Sequence, residues 1–403
     1  MKKSVLLTLI ISVLFLSGCQ EPIYEAIRQD VKPEEATVSG YITNITRYTA
    51  GTKEFIAVAA DKGLRYKIRD ANSHGEWYTY DVPFSLHSYD FFEGKHTGQQ
   101  ILSVLANETT LYLITAEYSQ VGSEGITYPS TIRLYGKNIT NDGSNWSSSG
   151  SWKMITSSDT LFPIYYDYDD SSFHSDFRVF QTNAPKKEHR FAYIRSYDSD
   201  DKKYHYYQLV GLDKPTDHEV TINSDEVVDP HRQTSNPNYV AKAGAAVWFG
   251  GGVKFINSYV ATTNETYEDD PTYFYYTNGD DDLYFSDGSS TAHKDTDYTI
   301  SSLATCADAI LIGYGNISSG SANGIGKWHL VNGVPTSKGS FSTNAQFQIT
   351  QNYIVLSLLN GTPDKKETDS GLYAAIGFSG TTYNFDNIGL WSYYPGRGNW
   401  NRE

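Results

Sequence analysis

The chain has 403 residues and a formal net charge of −15, from 47 acidic against 32 basic residues. This charge disfavours a nucleic-acid partner, because phosphates must be neutralised by lysine and arginine. It has only two cysteines, Cys19 and Cys306, which excludes a disulfide-rich fold. Composition therefore indicates an acidic globular protein that is rich in aromatic side chains, with 33 Tyr, 18 Phe and 7 Trp.

The first element along the chain is an apolar segment over residues 1–18. Two lysines follow Met1, the stretch from Val5 to Leu16 is nearly all apolar, and the small residues Ser17 and Gly18 end it. This order is typical of a secretory signal peptide. The apolar run of about a dozen residues is shorter than the roughly 20 that span a bilayer. We expect residues 1–18 to be removed during export.

The residues around the expected cleavage point carry a family resemblance. Leu16-Ser17-Gly18-Cys19 resembles the lipobox of bacterial lipoproteins. The resemblance implies that the thiol of Cys19 is acylated, that Cys19 becomes the mature N-terminus, and that lipid holds the protein on a membrane of the cell envelope. Gln20 follows instead of Asp, which in the common diderm sorting rule favours the outer membrane. Whether the protein faces the periplasm or the cell surface is left open.

The rest of the chain divides into a tether and one long domain. Residues 19–37 combine the lipidated cysteine with a polar stretch that contains Pro22 and Pro33, which predicts a flexible tether. Residues 38–403 show almost no helical periodicity. Short β-type runs alternate there with turns rich in Gly, Asn, Asp and Ser, so we expect an all-β domain.

The β-type runs fall into groups of about four that recur roughly every 50–60 residues, a pattern typical of a β-propeller. Four Gly-x-Trp triplets support the repeat: Gly75-Glu76-Trp77, Gly150-Ser151-Trp152, Gly326-Lys327-Trp328 and Gly389-Leu390-Trp391. The sequence therefore predicts a six- or seven-bladed β-propeller, with a stacked pair of β-sandwiches as the alternative. Polar segments such as Tyr118–Ser130 are expected to be long loops, where a scaffold carries its recognition residues.

Clusters of carboxylates are the first candidate chemistry, since carboxylate oxygens are ligands for Ca²⁺. The three clusters are Asp167, Asp169 and Asp170; Asp198, Asp200 and Asp201; and Asp280, Asp281 and Asp282. None has the spacing of an EF-hand loop. Asn278-Gly279 precedes the last cluster and is a strong turn signal, so we interpret it as a solvated hairpin turn and predict no metal site.

Two turns resemble, faintly, the Asp-box turns of sialidase-type propellers: Asn141–Trp146 and Ser286-Asp287-Gly288. They differ from that motif because Asp and Gly are adjacent. A sialidase would also need three converging arginines, and no motif selects a triad among Arg133, Arg178, Arg190 and Arg195. We therefore predict no catalytic residue from this resemblance.

The remaining reactive side chains give no local signal. The ten histidines show no zinc-ligand spacing, and Cys306 lies among apolar residues where cysteine behaves as a small buried hydrophobe. No cofactor is predicted. We expect a binding or scaffolding module at the cell envelope that contacts the membrane through lipid on Cys19 and a protein or glycan through its loops. The alternative is a secreted carbohydrate-active hydrolase with two carboxylates in a central channel.

Overall fold

The computed structural model describes the chain from Thr37 to Glu403, except residues 39, 52, 61, 70–75, 91–94, 122–125, 140–150, 157–160, 163, 168–171, 176, 183–186, 199–202, 219–242, 250–251, 257–259, 263–271, 278–280, 317–320, 342–348, 350–352, 363–364, 378–387 and 397–398. The predicted signal peptide, Cys19 and nearly all of the predicted tether lie outside the described residues. Residues Val38–Glu403 form one compact unit.

The first half of this unit is built from two four-stranded sheets and smaller hairpins. The strands are β1 (Ile42–Ala50), β2 (Lys53–Ala60), β3 (Gly63–Ile68), β4 (Tyr78–Thr79), β5 (Ser88–Asp90), β6 (Lys95–Thr97), β7 (Gln99–Ala106), β8 (Thr110–Val121), β9 (Ile126–Asn138), β10 (Trp152–Thr156), β11 (Ile164–Asp167) and β12 (Ser172–Ser175). Strands β1 to β4 form the first large sheet and β7 to β10 the second. The pairs β5–β6 and β11–β12 are separate two-stranded hairpins.

The second half continues with one six-stranded and three four-stranded sheets. Its strands are β13 (Phe177–Thr182), β14 (Ala192–Asp198), β15 (Lys203–Gln208), β16 (Thr216–His218), β17 (Ala243–Phe249), β18 (Gly252–Ile256), β19 (Val260–Thr262), β20 (Phe274–Tyr276), β21 (Asp282–Ser286), β22 (Thr291–Asp295), β23 (Ile300–Thr305), β24 (Ala309–Asn316), β25 (Ser321–Val331), β26 (Val334–Ser340), β27 (Ile354–Asn360), β28 (Leu372–Gly377), β29 (Gly389–Tyr394) and β30 (Asn399–Arg402).

The six large sheets follow one another around a ring, which makes the fold a six-bladed β-propeller and confirms the predicted class. In each four-stranded blade the strands run antiparallel in chain order, starting with the inner strand. The six-stranded third blade contains two inner strands, because β13 and β17 pair in parallel. A backbone hydrogen bond from Val38 N to Glu403 O (3.1 Å) ties the two ends of the described domain together where the ring closes.

A β-bulge recurs in the inner strands. The pairing register of β1, β7, β23 and β27 shifts by one residue at Ile42/Asn44, Ile101/Ser103, Ile300/Ser302 and Val355/Ser357. In each strand the shift spans a β-branched residue, one extra residue and then Asn or Ser. A bulge increases local twist, so its repetition bends each inner strand in the same place.

Tyrosine is used heavily in the core between blades. Tyr48, Tyr80, Tyr112, Tyr206 and Tyr275 are among the largest fully buried side chains. The hydroxyls of Tyr48 and Tyr80 form a hydrogen bond with each other, and burial raises the pKa of both phenols. The richness in tyrosine thus serves packing in large part, with each buried hydroxyl needing a partner.

Two sequence expectations about local structure can be compared with the strands. Tyr118–Ser130 was expected to be a polar loop, but the described residues continue β8 and β9 as one long hairpin, with Tyr118 opposite Pro129. The loop expectation was wrong because Thr, Tyr and Ile in this segment favour strand despite its polarity. The hairpin expected around Asn278-Gly279 is confirmed by the antiparallel pairing of β20 with β21.

Candidate functional site

A buried polar network joins the inner strands of the first three blades. The side-chain amide of Gln181 accepts hydrogen bonds from Thr46 Oγ1 and Ala106 N, both at 2.7 Å, and donates to Arg47 O at 3.1 Å. One residue of β13 thereby joins the inner strands β1 and β7. Asn44 adds a second link, because its amide exchanges two hydrogen bonds with the backbone of Val104.

The carboxylate of Glu54 is held between two arginines. Arg190, which is 4 % exposed, contacts Thr49 and lies 3.4 Å from Glu54 Oε1, although they belong to the third and first blades. Glu54 also pairs with Arg69. Such a doubly paired carboxylate is a cross-link between blades rather than a general acid or base.

Two buried lysines lie at seams between blades and are surrounded by aromatic rings. Lys67, 2 % exposed, has its Nζ 3.3 Å from Glu403 Oε2 and 5.4–5.8 Å from the ring centroids of Trp77, Tyr373 and Tyr394. Lys137, fully buried, has its Nζ 5.2 Å from the Tyr80 ring and 5.8 Å from the Trp152 ring. Burial lowers the pKa of Lys137 to about 8.

The arginines considered for a sialidase-like triad do not converge. Arg133 pairs with Glu117 at 2.5 Å in the second blade, whereas Arg190 faces the first blade. Arg178 and Arg195 are opposite each other on β13 and β14, and Arg195 lies over the Phe180 ring at 5.6 Å. The guanidinium groups of Arg133 and Arg190 therefore bind different carboxylates, Glu117 and Glu54.

The Asp287 turn connects β21 to β22. Asp287 Oδ1 accepts hydrogen bonds from the backbone N–H groups of Ser289 (2.9 Å) and Ser290 (2.8 Å), which lower the pKa of the carboxyl group. Gly288 has φ +86°, and a Cβ there would lie 2.6 Å from the Phe249 ring. The resemblance to an Asp-box turn therefore marks a structural turn; Asn141–Trp146 lies outside the described residues.

The acidic clusters and Cys306 contribute no further chemistry in the described part. Asp282 accepts from His293 Nδ1 at 3.0 Å, whereas the side chains of Asp167, Asp169, Asp170, Asp198, Asp200, Asp201 and Asp280 are not described. Cys306 is 2 % exposed and receives a hydrogen bond from Asn360 Nδ2 at 3.2 Å, which confirms it as a buried residue. Among the described residues no three His, Cys, Asp or Glu side chains converge as a metal site.

Sequence analysis missed a cluster of two histidines and two tyrosines, His87, Tyr89, His96 and Tyr118, hereafter the His–Tyr cluster. His87 Nε2 and His96 Nδ1 are 2.8 Å apart, and the Tyr89 ring lies 4.6 Å from the His96 ring. Tyr118 packs against both imidazoles, with ring centroids 5.4 Å and 6.3 Å away. Its hydroxyl is buried without a hydrogen-bond partner, and burial raises its pKa to about 12.

The His–Tyr cluster is built by the small hairpin β5–β6, an addition between the first and second blades. Pairing of Tyr89 with His96, and a hydrogen bond from His87 N to Gln99 O (2.9 Å), set the two histidines side by side. The hairpin is largely exposed, and Tyr89 is 51 % exposed. The cluster thus combines an accessible tyrosine with two imidazole groups.

Comparison with known proteins yields only distant structural similarity. No family model matches the chain, and no curated protein is similar to it in sequence. The C-terminal domain of gp131 from bacteriophage phiKZ is 9% identical with a TM-score of 0.33, covering 90% of this chain and 95% of that one. YCF48 from Cyanidioschyzon merolae is 11% identical with a TM-score of 0.35, covering 92% and 88%.

A structure from a study of two prolyl endopeptidases is 8% identical with a TM-score of 0.35. The alignment covers 97% of this chain but only 53% of that chain, so this chain spans about half of its length. Similarities at this level carry no argument about activity. The class of protein, a β-propeller, rests on the sheet order and ring of contacts described above. Among the described residues no helix is long and apolar enough to cross a membrane.

Proposed function

We propose that this protein is a lipid-anchored lipoprotein of the cell envelope whose propeller acts as a binding or scaffolding module. The observation that carries the binding role is the His–Tyr cluster, where aromatic and imidazole side chains lie together on an exposed hairpin. Tyrosine suits recognition because its rigid ring and polar tip bind at low entropic cost. The carboxylates of Glu54 and Glu403 are ion-paired within the scaffold. This favours binding over the alternative of a carbohydrate-active hydrolase.

Site-specific photo-crosslinking tests the binding role. A benzophenone amino acid at Tyr89 should form adducts of discrete mass with a protein or glycan of the envelope when the variant is produced in its native host. The matched control is the same substitution at Tyr298, which is similarly exposed at 46 % but lies far along the chain after β22. Identical adduct patterns from both positions, or none from Tyr89, would contradict a partner at the hairpin.

Substitution of the predicted lipidated cysteine tests the anchor. We expect Cys19→Ala to abolish acylation and to move the protein from the detergent phase to the aqueous phase in detergent partitioning. The physical reason is that each buried methylene of an acyl chain contributes about 0.8 kcal/mol to membrane binding. Cys306→Ala is the matched control and should leave partitioning unchanged. Mass spectrometry that finds lipid on the Cys19→Ala protein would refute the assignment.

A further inference from the structure

The two imidazoles of the His–Tyr cluster present nitrogens to the same small space. His87 Nε2 and His96 Nδ1 are 2.8 Å apart, the ring planes differ by 22°, and the ring centroids are 5.1 Å apart. Without a ligand, one of these nitrogens carries a proton and donates a hydrogen bond to the other. A neutral imidazole can instead carry its single proton on its outer nitrogen, which leaves both facing nitrogens able to donate electron pairs.

The separation of these nitrogens suits one coordination geometry better than another. Two adjacent ligands in a square plane, each bonded at about 2.0 Å, are about 2.8 Å apart, whereas tetrahedral ligands at this bond length are about 3.3 Å apart. Square-planar sites with N and O donors are typical of Cu²⁺ and Ni²⁺, and Cu²⁺ has the higher affinity for such donors. The two nitrogens can therefore be adjacent equatorial ligands of a tetragonal copper site at their present separation.

Tyr118 is the aromatic neighbour of the imidazole pair. Tyr118 Oη is buried without a hydrogen-bond partner, which is unusual because a buried polar group of this kind is normally satisfied. Its ring packs against both histidine rings. The hydroxyl makes no hydrogen bond with either imidazole, so the contact of Tyr118 with the pair is through its ring.

We propose that His87 and His96 form a binding site for one Cu²⁺ ion through their facing ring nitrogens, with water supplying the oxygen ligands. Binding through the neutral imidazoles releases no proton from either ring. This inference goes beyond the proposed binding module. The two are separable, because a partner can contact Tyr89 whether or not copper binds, and copper can bind without a partner.

The test is titration of the untagged full chain in detergent with CuCl₂, and separately with NiCl₂ and ZnSO₄. Calorimetry should give one saturable Cu²⁺ site with weaker binding of Ni²⁺ and Zn²⁺, and electron paramagnetic resonance should show a tetragonal spectrum with nitrogen hyperfine structure. His96→Ala should weaken Cu²⁺ binding by about 100-fold or more, since loss of even an outer-shell partner costs 10–100-fold. His329→Ala, which removes another exposed histidine on β25, should bind like the native chain.

Further variants keep the test decisive. His87→Gln should also lose the site, and circular dichroism of the metal-free variants checks that the propeller is folded. Tyr118→Phe keeps both imidazoles and should retain the nitrogen signal. Equal Cu²⁺ affinity in His96→Ala and His329→Ala, or no saturable binding to the native chain, would overturn the site itself.

Discussion

Glu403→Gln should lower the free energy of unfolding by about 3–5 kcal/mol, the usual effect of removing one partner from a buried ion pair. Glu403 is 8 % exposed, and its carboxylate contacts Lys67, the indole N–H of Trp77 and the hydroxyl of Ser392. Glutamine keeps the shape of the side chain but leaves the Lys67 charge without its counter-ion. The measurement is urea denaturation followed by tryptophan fluorescence and circular dichroism.

Two variants separate loss of the ion pair from general disruption. Glu76→Gln neutralises an exposed carboxylate next to Trp77 and should change the unfolding free energy by less than about 0.5 kcal/mol. Lys67→Met combined with Glu403→Gln should recover much of the loss, because the uncompensated charge is gone. A double variant as unstable as the sum of the single ones would show that the two charges do not interact.

The ring of blades could be predicted from the sequence because each strand is short, bounded by turn residues and grouped in fours. The Gly-x-Trp triplets at Trp77 and Trp152 lie at corresponding places in the first two blades, since Trp77 directly precedes β4 and Trp152 begins β10, the fourth strand of each sheet. The number of blades could not be predicted as a single value. The third blade contains a second inner strand, β17, in parallel with β13, and such long-range pairing leaves no local pattern.

The His–Tyr cluster was missed for a definable reason. His87 and His96 are nine residues apart, which matches no short metal-ligand spacing, and only the β5–β6 hairpin brings them together. A search for two histidines in diagonal positions of a short hairpin would have found the pair, since His96 lies opposite Tyr89, two residues after His87. Tyr118 comes from β8 and could not be assigned to it, because contact between separate elements depends on packing. The same holds for Gln181, whose partners lie on β1 and β7.

The buried Lys137 ties stability to pH in a direction that can be worked out. Burial lowers its pKa from 10.5 to about 8, so folding disfavours the charged amine, with partial compensation from the Asp81 charge. Below pH 8 the amine is protonated in both the folded and the unfolded state, so the folded protein bears the full cost of burying the charge. Between pH 8 and 10.5 only the unfolded state keeps the proton, so stability rises with pH. The rise saturates above pH 10.5, when both states are neutral.

Lys137→Met should therefore stabilise the protein at pH 7 and remove this rise. A shift from 10.5 to about 8 corresponds to about 3 kcal/mol, and the loss of the cation–π contacts with Tyr80 and Trp152 reduces the net gain. Unfolding free energies of the native chain and the variant should be compared from pH 7 to 9.5. Higher pH is avoided because burial raises the pKa of tyrosines such as Tyr193 to about 12. The folded protein therefore loses stability once these tyrosines ionise in the unfolded state.

The control is Lys153→Met, which replaces an exposed lysine on the adjacent strand β10 and should keep the native dependence of stability on pH. Parallel pH profiles for the native chain and Lys137→Met would mean that Lys137 keeps its charge in the folded protein, with the aromatic rings and Asp81 compensating its burial.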